Sequence, residues 1–312
     1  MSKKYLVTGA TGFVGSCLVR KLIDNNEEVH IIVRKKSDNW RLKDIIKFIK
    51  VHYVDLNDEN EIKELFEKNS FNIIYHLATY GGYNFQMDIN NIINTNLIGT
   101  WNLFKYCKDS GIEMFINTSS SSEYGEKNEA MKEDMLLNPN NMYGATKVAS
   151  TILCNTYAKS NDIPLITYRL FSPYGHFDST SRLIPTVIKS CFKNEDIYLG
   201  SKNSKRDFIF IDDVIDSYLI SSKINNKYGE IYNIGSGREY AVEEIVNKIV
   251  YLTKSKSKLY WGNDLGRQYE PKSWVGDISK IQAEVSWKPK VDIDEGLIKT
   301  VKWFKENLIL YK

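Results

Sequence analysis

Cysteine is scarce in this 312-residue chain: Cys17, Cys107, Cys154 and Cys191 stand far apart, without a C-x-x-C pair. That spacing excludes a disulfide-stapled fold and a thiolate metal site, and it points to buried, reduced thiols in a cytoplasmic protein. Histidine is as sparse, with four residues and none at metal-ligand spacing, so no metal is expected. Blocks of like charge are missing too: 42 basic and 39 acidic residues are scattered and leave a formal net charge of +3. A nucleic-acid binder concentrates its cations on a face or a tail, so no nucleic-acid partner is expected. No apolar run approaches the ~18 residues of a membrane span. Met1-Ser2-Lys3-Lys4 leads straight into a strand pattern without a signal-like apolar segment, so neither a membrane partner nor export is expected.

What is present begins with a strand, Tyr5-Leu6-Val7-Thr8, followed by Gly9-Ala10-Thr11-Gly12-Phe13-Val14-Gly15 and a helical pattern from Ser16 to about Asn25. A strand that turns through glycines into a helix N-terminus makes a phosphate site, because backbone approaches closely and free N–H groups meet negative charge. The apolar run Val29 to Val33 is the second strand, and it ends on Arg34-Lys35-Lys36. An acidic residue at this place suits the ribose 2'-hydroxyl of NAD, whereas a cation suits the extra phosphate of NADP, so NADP is favoured over NAD. Residues 40–54 read as a helix and a third strand ending at Asp55-Leu56, where Asp55 either meets adenine or caps the segment beginning near Glu59. Phe71 to Ala78 is the fourth strand, with His76 in its wall, and it opens into the aromatic loop Thr79-Tyr80-Gly81-Gly82-Tyr83. Asn91 to Lys108 reads as one long helix.

The fifth strand, Met114 to Asn117, runs into Thr118-Ser119-Ser120-Ser121-Ser122-Glu123-Tyr124-Gly125. Hydroxyls at the edge of a sheet can hydrogen-bond a reacting oxygen. Some twenty residues later comes Tyr143-Gly144-Ala145-Thr146-Lys147. Residues four apart share a helix face, so the ammonium is expected beside the phenol. A nearby cation favours the phenolate of a group whose free pKa is ~10, which makes an acid–base device. A sixth strand, Ile163 to Phe171, closes an α/β, doubly wound parallel sheet. After it the pattern changes to short strands, helices from Arg182 and Val242, a polar aromatic loop over Trp261 to Pro271, and a final amphipathic helix carrying Leu297, Val301, Phe304 and Leu308.

Together these motifs resemble an extended short-chain dehydrogenase/reductase of the nucleotide-sugar type, the group of sugar-nucleotide epimerases, 4,6-dehydratases and 4-keto-reductases. The likeness rests on the glycine turn, His76-Leu77-Ala78, the serine loop, Tyr143-x-x-x-Lys147, Arg169-Leu170-Phe171, Arg206-Asp207-Phe208-Ile209 and Trp287-Lys288-Pro289. It implies a Rossmann domain over 1–171, with a return of the chain near 207–235, and a smaller C-terminal substrate-binding lobe over 172–312. It also implies a cofactor, NADP or NAD, held by Gly9, Thr11, Gly12, Phe13, Val14, Gly15, Arg34, Asp55, Leu56, Leu77 and Ala78. Tyr143 would be the acid–base, Lys147 would hold the nicotinamide ribose, and Ser120 would bind the reacting sugar oxygen. A nucleotide-diphosphate sugar would lie against Tyr80, Tyr83, Ser121, Ser122, Arg182, Arg206 and Arg267.

Where the dehydratases of this group carry an acidic residue, two before Tyr124, this chain has Ser122. A hydroxyl cannot remove the C5 proton at neutral pH, so 4,6-dehydration is disfavoured. The resemblance then implies an NAD(P)-dependent oxidoreductase at C4 of the sugar, a 4-dehydrogenase or 4-keto-reductase. A 4-epimerase with retained cofactor is the alternative, and a non-catalytic dinucleotide-binding regulator is the reading outside enzymes. Pairing through the helices near 91–108 and 142–159 into a homodimer, or a dimer of dimers, is expected by the same resemblance.

Overall fold

The computed structural model describes residues 3–221, 223–224, 227–262 and 273–311. Strand β1 (Lys4–Thr8) leads into helix α1 (Phe13–Asp24), and β2 (Glu28–Val33), β3 (Ile49–Tyr53), α2 (Glu59–Lys68) and β4 (Ile73–His76) follow. The chain continues through α3 (Ile89–Ile93), a π-turn (Asn94–Ile98), α4 (Gly99–Lys105), β5 (Met114–Ser120), α5 (Met142–Asn161) and β6 (Leu165–Leu170). Next come β7 (Ser172–Tyr174), α6 (Leu183–Lys193), β8 (Ile197–Tyr198), β9 (Lys205–Arg206), β10 (Phe208–Phe210) and α7 (Ile211–Ser221). The last elements are β11 (Tyr228–Ile234), β12 (Tyr240–Ala241), α8 (Val242–Thr253), β13 (Leu259–Tyr260), α9 (Ser279–Val285) and α10 (Ile293–Asn307).

Seven strands pair in parallel in the order β11-β6-β5-β4-β1-β2-β3. Helices cover both faces, which is why the strands read as continuous apolar runs rather than alternating ones. Tyr5 and Val7 join the core under α1 and α7, while Leu6 between them joins the opposite core with Ile62, Leu65, Leu103, Phe104, Cys154 and Ala158 from α2, α4 and α5. The first core runs on without a break into α6, α8 and α10 through Ile184, Ile245 and Leu297. Truncating one of these fully buried aliphatics to alanine is expected to cost ~2–5 kcal/mol. All four cysteines are buried and unpaired. Among the described residues, no helix is long and apolar enough to cross a membrane.

The chain leaves β1 toward β2 and β3, then returns to place β4 on the other side of β1. Such a reversal opens a crevice beyond the carboxyl ends of the strands, where open α/β sheets bind ligands. Two expectations need correction. Residues 40–48 form two short 3-10 turns, Trp40–Leu42 and Ile46–Phe48, rather than a helix, because only Leu42 among them finds a buried site. The helix expected over Asn91 to Lys108 starts at Ile89, ends at Lys105 and is broken by the π-turn, which aims Asn96 inward. The buried Asn96 side chain accepts from the Thr79 hydroxyl at 3.0 Å and the Tyr80 N–H at 2.9 Å, and donates to the Tyr80 carbonyl and to Thr146 on α5. A π-turn costs regular hydrogen bonding. Here it ties the loop after β4 to the helix that carries Tyr143.

Candidate active site

The turn after β1 is held by backbone. Gly9 has φ of +65°, and a Cβ on it would stand 2.5 Å from the Leu77 carbonyl carbon and 2.6 Å from the Ala78 nitrogen. Thr8 completes the contact, its hydroxyl accepting from the N–H groups of Leu77 and Ala78 at 3.2 and 3.1 Å. His76 lies beneath, sharing hydrogen bonds with Thr8 at 2.8 Å and Thr100 at 2.9 Å, and burial pushes its pKa down to about 3. It belongs to the wall, neutral and engaged. Helix α1 starts at Gly12 with no side-chain cap, so its first N–H groups remain open to an anion.

That helix start opens into a cavity of about 370 Å³ whose walls include Gly9, Thr11, Gly12, Phe13, Val14, Gly15, Arg34, Asp55, Leu56, Leu77, Ala78, Ser120, Tyr143, Lys147 and Arg182. An uncapped helix N-terminus above a cradle with no room for side chains fits the pyrophosphate of a dinucleotide. Asp55 is on the wall but caps no helix. Its carboxylate accepts from the Asn57 N–H at 2.9 Å, while Asp58 caps α2 by accepting from the N–H groups of Asn60 and Glu61.

Helix α5 brings Tyr143 and Lys147 to the same cavity. Asn141 caps it, accepting from the Gly144 N–H at 2.8 Å. Gly144 matters between these two side chains: a Cβ there would stand 2.5 Å from the Ser122 carbonyl oxygen, so glycine lets the helix press against the serine loop. Lys147 is buried and donates to the Thr118 carbonyl at 2.6 Å. Burial pushes its pKa down to about 8, against the opposing pull of Glu123. Tyr143 differs from the sequence expectation of a lowered phenol. Burial raises its pKa above the ordinary value, and the opposing influences are hydrogen bonds with Ser120 and Thr79 and the positive charge of Arg182. The hydroxyl of Ser120 also accepts from the Ser122 N–H at 3.1 Å, which fixes it at the strand end.

A second cavity of about 370 Å³ adjoins the first and shares Gly82, Tyr83, Pro173 and Arg182 with it. Arg206, Phe208, Tyr198 and Asp178 line the far part. Arg182 sits at the junction, donating to the Pro173 carbonyl at 3.3 Å with its guanidinium 5.8 Å from the Tyr83 ring centre. Asp178 is buried, and burial raises its pKa to about 6 against the pull of Arg182 and Arg41.

Three expected substrate contacts are not on either wall. Tyr80 has its backbone N–H and carbonyl bonded to Asn96, and Ser121 is buried, accepting from the indole N–H of Trp274 at 2.8 Å. Ser122 bonds back to Ser120. Arg267 lies outside the described residues, as does most of the loop expected over Trp261 to Pro271. Thr79 and the Thr118 carbonyl were not anticipated. The Asn96 position in a helical pattern hints at the first, but a main-chain acceptor leaves no mark in sequence.

Glu123, the one carboxylate of the serine loop, faces away from both cavities into the core, where it pairs with the Arg169 Nε at 2.6 Å. The first cavity thus gathers Tyr143, Ser120, Lys147 and Arg182, a phenol with hydroxyl, ammonium and guanidinium neighbours, and at Arg182 it meets the second.

Residues 5–235 match the NAD dependent epimerase/dehydratase family. The chain is 29% identical to the UDP-glucuronate 4-epimerase of Thermodesulfobacterium geofontis (strain OPF15), over 99% of this chain and 98% of the relative. It is 27% identical to the dTDP-glucose 4,6-dehydratase of Haemophilus influenzae (strain ATCC 51907 / DSM 11121 / KW20 / Rd), over 97% and 98%. The crystal structure of UDP-glucuronic acid 4-epimerase from Bacillus cereus, in complex with UDP-glucuronic acid and NAD, superposes with a TM-score of 0.86 at 26% identity, covering 97% of this chain and 99% of that one. With a glycine turn, a serine loop and a Tyr-x-x-x-Lys helix assembled around one cavity, this chain belongs to the NAD dependent epimerase/dehydratase family of nucleotide-sugar enzymes.

Proposed function

We propose that the protein epimerises C4 of a nucleotide-diphosphate sugar, with NAD or NADP kept in the first cavity and the sugar nucleotide in the second. A bound nicotinamide would supply hydride acceptance and return at the sugar carbon. The chain's own residues do the rest. Tyr143 takes the proton of the C4 hydroxyl and gives it back, Ser120 orients the oxygen, and Lys147 fixes the ribose side of the site. Arg182 and Arg206 hold the diphosphate, for which a guanidinium fork is suited. In this reading 1–171, with the return near 207–235, carries the cofactor, and 172–312 carries the sugar nucleotide.

One observation carries the choice of chemistry. Among the described residues lining the two cavities, the only carboxylates are Asp55 and Asp178, and neither is on the serine loop. Glu123 is committed to Arg169, Ser119 and Thr151 inside the core. Removal of a C5 proton therefore lacks its base, which weighs against 4,6-dehydration and leaves chemistry confined to C4. Between the two C4 readings, the likeness to 4-epimerases favours inversion over net oxidation or reduction. Net 4-dehydrogenase or 4-keto-reductase activity remains a second reading, favoured by Arg34 and Ser37 on the cavity wall, which suit the 2'-phosphate of NADP.

The test is product analysis. Purified protein incubated with UDP-glucuronic acid, UDP-glucose and dTDP-glucose is expected to yield a C4 epimer of one of them by NMR, with no net change in reduced-nicotinamide absorbance. Stoichiometric formation or loss of reduced cofactor would replace inversion by net oxidoreduction, and a 4-keto-6-deoxy product would overturn both. We also propose that copies pair through the π-turn before α4 and through α5, whose exposed Ile98, Ile152 and Leu153 support such a contact, to be read by light scattering.

A further inference from the structure

The carboxylate that the proposed chemistry leaves unused is held by three hydrogen bonds beside the site. Glu123 follows the serine loop and is fully buried. One of its oxygens accepts from the Ser119 and Thr151 hydroxyls, the latter at 2.6 Å, and the other accepts from the Arg169 Nε at 2.6 Å. Each partner adjoins a working part. Ser119 is the neighbour of Thr118, whose carbonyl takes the Lys147 ammonium, and of Ser120. Thr151 stands one helical turn beyond Lys147, on the same face of α5. Arg169 on β6 spreads its remaining reach over the Tyr124 hydroxyl and the Glu133 carbonyl, both at 2.9 Å.

We infer that Glu123 is a positioning residue: it pins α5 to the ends of β5 and β6 and is the buried counter-charge shared by Arg169 and Lys147. The assignment rests on the proposed function only in that Lys147 serves the reaction; the contacts themselves hold whatever the substrate. Two cations in a dry interior repel and resist desolvation, and a single carboxylate near both relieves each. The groups that face this centre are few. Tyr143 and Cys154 on α5, His76 on β4 and Tyr124 on the loop itself surround Lys147 and Glu123, and the Glu133 carboxylate, which accepts from the Asn233 N–H, faces Tyr124 rather than Lys147. Glu123 is accordingly the influence that opposes the loss of the Lys147 proton by burial, and beside Lys147 Cys154 adds only a weaker push in the same sense.

The test separates this role from plain structural support, and it needs no turnover. Glu123→Gln keeps the shape and the bonds to Ser119 and Thr151 but removes the charge. Its Tm loss should be larger at about pH 6.5, where Lys147 is an ammonium in the wild type, than at about pH 9.5, where it is neutral, by roughly 3 °C for one pKa unit of coupling. In a Lys147→Met background that pH dependence should vanish, leaving the constant cost of the lost Arg169 pair. An equal, pH-independent loss in both backgrounds would overturn the inference. Should E123Q fail to fold, Glu123→Leu with Arg169→Met removes the ion pair and leaves Lys147 as the remaining cation of the centre. The pH above which stability begins to rise should then fall below the wild-type value of about 8, and an unchanged pH would contradict the role.

Discussion

The two cavities have the same volume, about 370 Å³ each, but they are built differently. The first is walled by main chain and short side chains at the carboxyl ends of β1 to β5, where glycines allow close approach. The second is walled by larger side chains from β7, β8, β9 and α6, among them Tyr174, Tyr198, Arg206 and Leu183. A ligand in the first cavity is held by what every chain of this architecture must offer, uncapped N–H groups and a strand edge. A ligand in the second is held by whatever side chains the C-terminal segments happen to bring. The difference implies that cofactor class follows from the fold, while the sugar nucleotide follows from individual residues.

Several substitutions break that comparison, taken from the largest effect to the smallest. Tyr143→Phe, on the wall of the first cavity, should lower kcat by about 10²–10⁴-fold with cofactor affinity unchanged, as read by initial rates and fluorescence titration of NAD. Arg206→Leu should raise the KM for the sugar nucleotide by roughly 10–100-fold, the worth of a charged hydrogen bond, and leave cofactor binding alone. Arg34→Leu is the mirror image: NADP affinity is expected to fall by roughly tenfold while NAD affinity and the sugar-nucleotide KM stay put. Equal losses of both ligands in either arginine variant would collapse the distinction between the two sites.

The smallest effect is a pH dependence confined to the second cavity. Burial holds Asp178 at about 6, so its charge is absent below that pH and present above it. A carboxylate beside Arg182 repels a diphosphate, and the sugar nucleotide should therefore bind about threefold more tightly below pH 6 than above, read by calorimetry. Asp178→Asn should abolish the dependence and leave NAD binding flat across the same range. The same group carries a stability term of defined sign. Its folded pKa exceeds the ordinary carboxylate value, so the stability it contributes is present in acid and lost as pH rises toward about 6.

Much of the first cavity was legible because its signals are covalent necessities. Gly9 needs a positive φ and a bare Cα, and Tyr143 and Lys147 need a helix face; both requirements are written in the residues themselves. The sheet was equally legible, since strands buried on both sides must be continuously apolar. The π-turn at Asn94–Ile98 was not, because the inward aim of Asn96 comes from tertiary bonds to Thr79, Tyr80 and Thr146. Ser121 and Ser122 lie off both cavity walls for a related reason: four consecutive hydroxyls look alike in sequence, and Ser121 is engaged by the indole of Trp274, some 150 residues away in the chain. Tyr80 reads as a cavity aromatic until its backbone is found tied to Asn96. The phenol of Tyr143 shows the same limit in electrostatics. Helical spacing predicts a cation beside it, but the Lys147 ammonium turns to the Thr118 carbonyl and burial raises the phenol's pKa.

Inversion at C4 with the hydrogen kept is the centre of the account, and a substrate carrying deuterium at C4 reads it directly. The C4 epimer formed from that sugar nucleotide should retain the deuterium at C4 in full, with none released to water. Deuterium found on free reduced cofactor, or at C6 of a 4-keto product, would contradict it.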